Sequence, residues 1–175
     1  MPTITRTWLA FAAIGTGLIH LALVIGAPLP VALVLGLLGL AEFVWGVLTF
    51  ARDTVPLPRI ALVVAITPVV LWGLLLAVSP VAEVPALAAS LPFLPFAIAT
   101  VFELFIAATL AVQLRTGPTD APAPSVARYL VGLGLGALVV VALTLPALAA
   151  TQAGQLAQLP AAPYEFDIPE HDDGH

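Results

Sequence analysis

The stretch Leu37-Leu38-Gly39-Leu40-Ala41-Glu42-Phe43-Val44-Trp45-Gly46-Val47 decides the fold of this chain. It sets one carboxylate in the middle of a long apolar run. Thr100-Val101-Phe102-Glu103-Leu104 does the same farther along. A charged side chain at the centre of a bilayer is costly, so such a residue is functional or tightly paired by default. No lysine occurs anywhere to neutralise either glutamate, and the basic residues are five arginines.

Composition assigns the class. Of the 175 residues 61% are hydrophobic and 9% charged, where a soluble globular chain carries about 25% charged residues. The mean hydropathy is +1.13. Both values describe an integral membrane protein. Cysteine is absent, which excludes disulfides, thiolate metal sites and cysteine nucleophiles together.

Crossing the hydrocarbon takes roughly 20 apolar residues in a helix. Five segments qualify, 8–26, 31–51, 60–79, 91–114 and 127–150, so the expected fold is an all-α bundle of five transmembrane helices over residues 1–151. The joints are the Pro-rich hairpin Ala27-Pro28-Leu29-Pro30, the polar turn 52–59, a loop over 79–90 and a Pro- and Asp-bearing loop over 117–125. With five spans, Arg6, Arg52, Arg59, Arg115 and Arg128 all fall on one face. By the positive-inside rule that face is cytoplasmic. The N-terminus is then inside and the C-terminus outside the plasma membrane of a bacterium. A cleavable signal peptide over residues 1–26 fits less well, because the apolar run is long and Ala27-Pro28 is a poor cleavage site.

Helix rise of about 1.5 Å per residue estimates depth. Glu42 and Glu103 lie about 15 and 18 Å from Arg52 and Arg115, close to the midplane. His20 lies about 21 Å from Arg6, with Thr16 one turn below it on the same face. Around the glutamates run stripes of small residues, Gly36, Gly39, Gly46 and Thr49 in the second span and Thr100, Ala107 and Ala111 in the fourth. Such stripes let helices approach closely in lipid, so both carboxyl groups are expected to face protein. Gly132 and Gly136 give the fifth span the same small-x-x-x-small spacing. Pro68 and Pro146 each free a carbonyl, for which Thr67 and Thr144 are candidate donors.

Two chemistries fit His20, Glu42, Glu103, Thr16 and Thr100. A neutral glutamate donating one hydrogen bond would hold helices in register and do nothing else. Alternatively, the imidazole and two carboxylates form a site for protons or for a divalent metal such as Cu, Zn or Ni. A single intramembrane histidine excludes bis-histidine haem ligation within one chain.

Beyond residue 151 the hydropathy collapses, and residues 152–175 are expected to be a disordered, acidic, extracytoplasmic tail. Glu165, Asp167, Glu170, Asp172 and Asp173 supply most of the net charge of −5. His171, Asp172, Asp173 and His175 are a second, weaker metal-binding candidate; a solvated terminus needs no ligand at all.

Gly17-Leu18-Ile19-His20-Leu21-Ala22-Leu23, with Glu42 and Thr100-Val101-Phe102-Glu103-Leu104, resembles a loose group of uncharacterised small actinobacterial polytopic membrane proteins. These carry a His in the first span and a Glu in the fourth, often with a His- and Asp-bearing tail. The resemblance implies a shared architecture and a link to metal handling.

No phosphate-binding loop, zinc-protease motif or Ser/His/Asp set occurs outside the apolar runs, so no catalytic residue is assigned and no enzyme is expected. Five scattered arginines make no nucleic-acid patch. The expected partners are the lipid bilayer and, in addition, other membrane subunits or a homo-oligomer. Two functions compete: a small protein that binds or moves protons or a divalent cation, and a non-catalytic accessory subunit that docks on a larger complex through a helix face and its acidic tail.

Overall fold

The computed structural model describes residues 1–78, 92–117 and 124–158. Five long helices account for most of them: α1 (Thr3–Leu23), α2 (Leu29–Ala51), α3 (Pro58–Val78), α4 (Phe93–Thr116) and α5 (Val126–Ala149). Each is long and apolar enough to cross a membrane. A sixth, α6 (Gln152–Ala157), is short. Among the described residues there are no strands.

Proline punctuates the starts. Pro2, Pro28 and Pro92 stand immediately before α1, α2 and α4, and Pro58 opens α3. A missing N–H costs nothing in a helix's first turn, where that donor has no intrahelical partner. Leu29 and Pro30, expected in a hairpin, therefore form the first turn of α2. For the same reason α1 begins at Thr3, five residues earlier than the apolar run. Residues 152–158, expected to be disordered, hold α6 instead. The Thr151 hydroxyl accepts from the Gly154 N–H at 3.1 Å and caps that helix. The rest of the tail, with His171, Asp172, Asp173 and His175, lies outside the described residues.

The long helices run alternately up and down. At one end Arg6 pairs with Asp53 at 3.6 Å, and Met1, Gln113 and Gly117 gather around them. At the other end the α1–α2 turn meets α6: Gly26 has φ +87°, and a Cβ there would run into the Gln152 side chain. Helix α1 is the axis of the bundle, touching α2, α4, α5 and α6. It is 61% buried over its apolar core, against 44% for α4 and 22% or less for the other three. It is also the least apolar of the five. Both facts have one cause, since protein rather than lipid surrounds its Thr7, Thr16 and His20.

Helix α3 packs against α4. Although α2 and α3 are consecutive, they do not pack closely together, and a cleft separates them. Bulky residues turn outward, among them Leu33, Leu37, Leu40 and Val44 on α2, and Val63, Val70 and Leu74 on α3. Such faces are compatible with contact with lipid.

Glycine sets the closest approach. A Cβ on Gly17 would lie 2.7 Å from the Gly39 carbonyl oxygen, and one on Gly39 would lie 2.8 Å from the Gly17 carbonyl oxygen. Gly46 lies as tightly against Ala10, at 2.9 Å. The backbones of α1 and α2 are thus in direct contact, as stripes of small residues permit in membranes. In α5, Gly132 meets Ile4, and Gly136 lies under Trp8, whose indole N–H donates to the Gly132 carbonyl at 2.8 Å.

Two details of the expected packing are corrected. In α2 the inward stripe is Leu35, Gly39, Glu42, Gly46 and Thr49, with Gly36 only half-buried. In α4, Thr100 and Ala111 lie at the edge of the buried face, which contains the larger Phe96, Phe102, Ile106 and Leu110. Helix α4 touches α1, α3 and α5 at once, so it buries a broad face where a narrow small-residue seam was expected.

Candidate metal centre

His20, Glu42 and Glu103 come from three different helices and meet in the interior. His20 is 1% exposed, Glu42 7% and Glu103 2%. One donor atom from each lies within 4.8 Å of the others. Their separate depth estimates, spread from about 15 to about 21 Å, converge for a geometric reason. Side chains on a helix lean toward its N-terminus. His20 rides on a helix leaving the arginine end and leans back toward it. Glu42 and Glu103 ride on helices returning to that end and lean away from it.

The α1–α2 glycine contact places the first pair. Gly17 is one turn before His20 and Gly39 one turn before Glu42, and a Cβ on Gly39 would lie 3.0 Å from the His20 Cβ. His20 Nδ1 lies 2.7 Å from Glu42 Oε2, a short buried hydrogen bond. Where the Glu42 carboxylate is ionised it only accepts, and Nδ1 then carries the hydrogen while Nε2 presents its lone pair. That lone pair faces Glu103 Oε1 at 3.6 Å. This is longer than a hydrogen bond, and Glu103 Oε1, fully occluded, has no hydrogen-bond partner among the described residues. His20 Nε2 and Glu103 Oε1 therefore face each other in a dry interior without a hydrogen bond, and a proton or a metal ion between them would satisfy both.

Separation matters here. Zinc bonds to imidazole nitrogen and carboxylate oxygen are about 2.0–2.2 Å, so two of them at a tetrahedral angle set their donors about 3.4 Å apart. The observed 3.6 Å fits that span. The other half of the arrangement, a carboxylate accepting the ligand histidine's second N–H, is the usual way a metal-binding imidazole is oriented. Charge points the same way. If both were ionised, Glu42 and Glu103 would carry two negative charges, and Arg52 and Arg115, the arginines that follow them, are ten and twelve residues further along the chain. One divalent cation, or two protons, would neutralise the pair.

Aromatic rings close the side facing away from the arginine end. Phe96 lies 6.4 Å from the His20 ring, centroid to centroid. Trp72 stacks on Phe96 at 5.9 Å and meets Phe93 at 5.6 Å.

The two threonines do not join the cluster. Thr16 donates to the Ala12 carbonyl in its own helix at 2.9 Å, and Thr100 is half-buried on α4. Thr67 donates to Val63 at 2.8 Å, not to the Val64 carbonyl that Pro68 frees. Thr144, packed against Gly15, has no hydrogen-bond partner among the described residues. Gly17 was not singled out as a site-forming residue. Its signal is the matched interval: a glycine three residues before His20 and another three before Glu42.

Comparison with known proteins finds no matching family model, no matching curated protein and no matching solved structure.

Proposed function

We propose that this is a small integral membrane protein that binds a divalent cation of the Zn class between His20 Nε2 and Glu103 Oε1, with Glu42 as the residue that orients the imidazole. The single observation carrying the reading is that His20 Nε2 and Glu103 Oε1 face each other 3.6 Å apart, the oxygen buried and without a hydrogen-bond partner among the described residues. A mixed nitrogen and oxygen donor set suits Zn, Ni or Cu(II) better than Mg or Ca. With two protein ligands the ion keeps positions for water or cargo, as a site that passes an ion along requires. The arginine distribution supports an N-terminus in the cytoplasm and a C-terminus outside, in a bacterial plasma membrane.

A second reading rests on the same atoms. Two protons, in place of one divalent ion, neutralise the carboxylates, and the 2.7 Å bond from His20 to Glu42 is a competent proton link. The experiment is purification of the full chain in mild detergent, incubation with Zn²⁺, desalting, and elemental analysis. About one equivalent is expected. His20→Gln and Glu103→Gln abolish it, while Glu42→Gln weakens affinity by about 10- to 100-fold. A protein that keeps no metal, or the same metal in all three variants, overturns the proposal. A metal-free preparation that carries other chains favours the accessory-subunit reading instead.

A further inference from the structure

We infer that the cleft between α2 and α3 is a second binding site, for a lipid-soluble phenol: a six-membered ring bearing a hydroxyl donor on an apolar tail. Because α2 and α3 do not pack together, their walls enclose a cavity of about 140 Å³ beside Glu42. Ala41, Trp45, Leu57, Ala61 and Ala65 supply apolar wall. An apolar cavity of about 150 Å³ accommodates a benzene ring.

The polar inventory of that wall is narrow. Glu42 is its one charged residue, and its Oε2 is held by His20, which leaves Oε1 for a guest. The Trp45 indole N–H is taken by the Pro56 carbonyl at 2.7 Å, so Trp45 offers its ring alone. Val64, also in the wall, has a carbonyl that lost its helical donor to Pro68. The lining therefore offers acceptors and no free donor. A guest that brings the hydroxyl completes it, whereas a ketone or an ether does not.

The tail has a place as well. A larger groove of about 590 Å³ shares Ala41, Trp45 and Leu57 with the cavity and follows α2 from Leu37 to Arg52. Its rims, Leu37, Leu40 and Val44, are exposed and lipid-facing, so a guest enters sideways from the bilayer. Leu57, at the junction of the two spaces, is held in the left-handed region at φ +46°. The Trp45–Pro56 bond pins the turn beside it.

The site shares Glu42 with the metal centre but does not depend on a metal being bound there. The test titrates 4-hexylphenol and hexylbenzene into the full chain in detergent while following tryptophan fluorescence. Saturable quenching by the phenol is expected, about tenfold tighter than by hexylbenzene, since a hydrogen bond to a carboxylate discriminates by about that factor. Ala61→Leu fills the cavity and abolishes it; Ala65→Leu does the same if the first variant fails to fold. Glu42→Leu reduces the phenol to the hexylbenzene level. Equal binding of the two compounds, quenching that survives both cavity-filling variants, or no saturable quenching overturns the inference. Glu103→Gln separates the two sites: it removes metal and leaves phenol binding intact. Loss of either activity alone therefore identifies which proposal has failed.

Discussion

Replacing Gly17 with alanine asks whether a backbone contact sets the geometry of the buried cluster. A Cβ at Gly17 would sit 2.7 Å from the Gly39 carbonyl oxygen and 2.8 Å from the Phe43 nitrogen. Both are main-chain atoms, so no side chain can swing aside. Restoring an ordinary contact of 3.4 Å asks α1 and α2 to part by about 0.7 Å. The strained contact lies one turn from both His20 and Glu42, so the displacement reaches their hydrogen bond nearly undiminished. A bond now 2.7 Å long would stretch to about 3.4 Å, beyond the usual range of 2.7–3.2 Å. Overpacking of this kind costs about 1–3 kcal/mol. Losing the group that orients the imidazole weakens metal binding by about 10- to 100-fold. The assays are the Nδ1–H resonance of ¹⁵N-labelled histidine, thermal unfolding in detergent, and Zn²⁺ titration. Gly134→Ala is the control, because a Cβ there meets nothing within 4 Å; it should be neutral or stabilise slightly through helix propensity. An unchanged Nδ1–H resonance with wild-type stability in Gly17→Ala would falsify the argument. So would equal damage from Gly134→Ala.

Trp8→Phe removes the indole donor to the Gly132 carbonyl and should cost about 1 kcal/mol, read as a lower unfolding temperature. Thr151→Ala deletes the cap of α6 at about 1 kcal/mol, and should speed amide exchange over residues 152–157 while sparing α1. Adding a chelator to zinc-loaded protein should lower the unfolding temperature, since free ion at 100 times its dissociation constant stabilises by about 2.7 kcal/mol. In Glu103→Gln the chelator should then have no effect.

The class, the number of long apolar helices and the inward placement of the glutamates are legible in the chain. Hydropathy is a sum over consecutive residues, and a span needs only its own 20 or so residues to be recognised. The cost of a charge in hydrocarbon likewise follows from the residue type and its depth alone. This is why Glu42, Glu103 and His20 stand out before any contact is known. Helix ends are less legible. Pro2 and Pro28 start α1 and α2 before the apolar runs do, and Thr151 caps a short helix beyond the last long apolar run.

Tertiary structure alone decided which helices touch. Nothing in the runs themselves makes α1 the axis or leaves α2 and α3 apart. Those outcomes depend on side-chain shape on several helices at once, such as the reciprocal Gly17–Gly39 contact. The site follows from the same contacts. Three residues 22 and 61 positions apart along the chain become one cluster because antiparallel helices lean their side chains toward a common level. Thr16 and Thr100, equally plausible by spacing, lie outside it, because a rotation of a few tens of degrees about a helix axis separates a ligand from a neighbour.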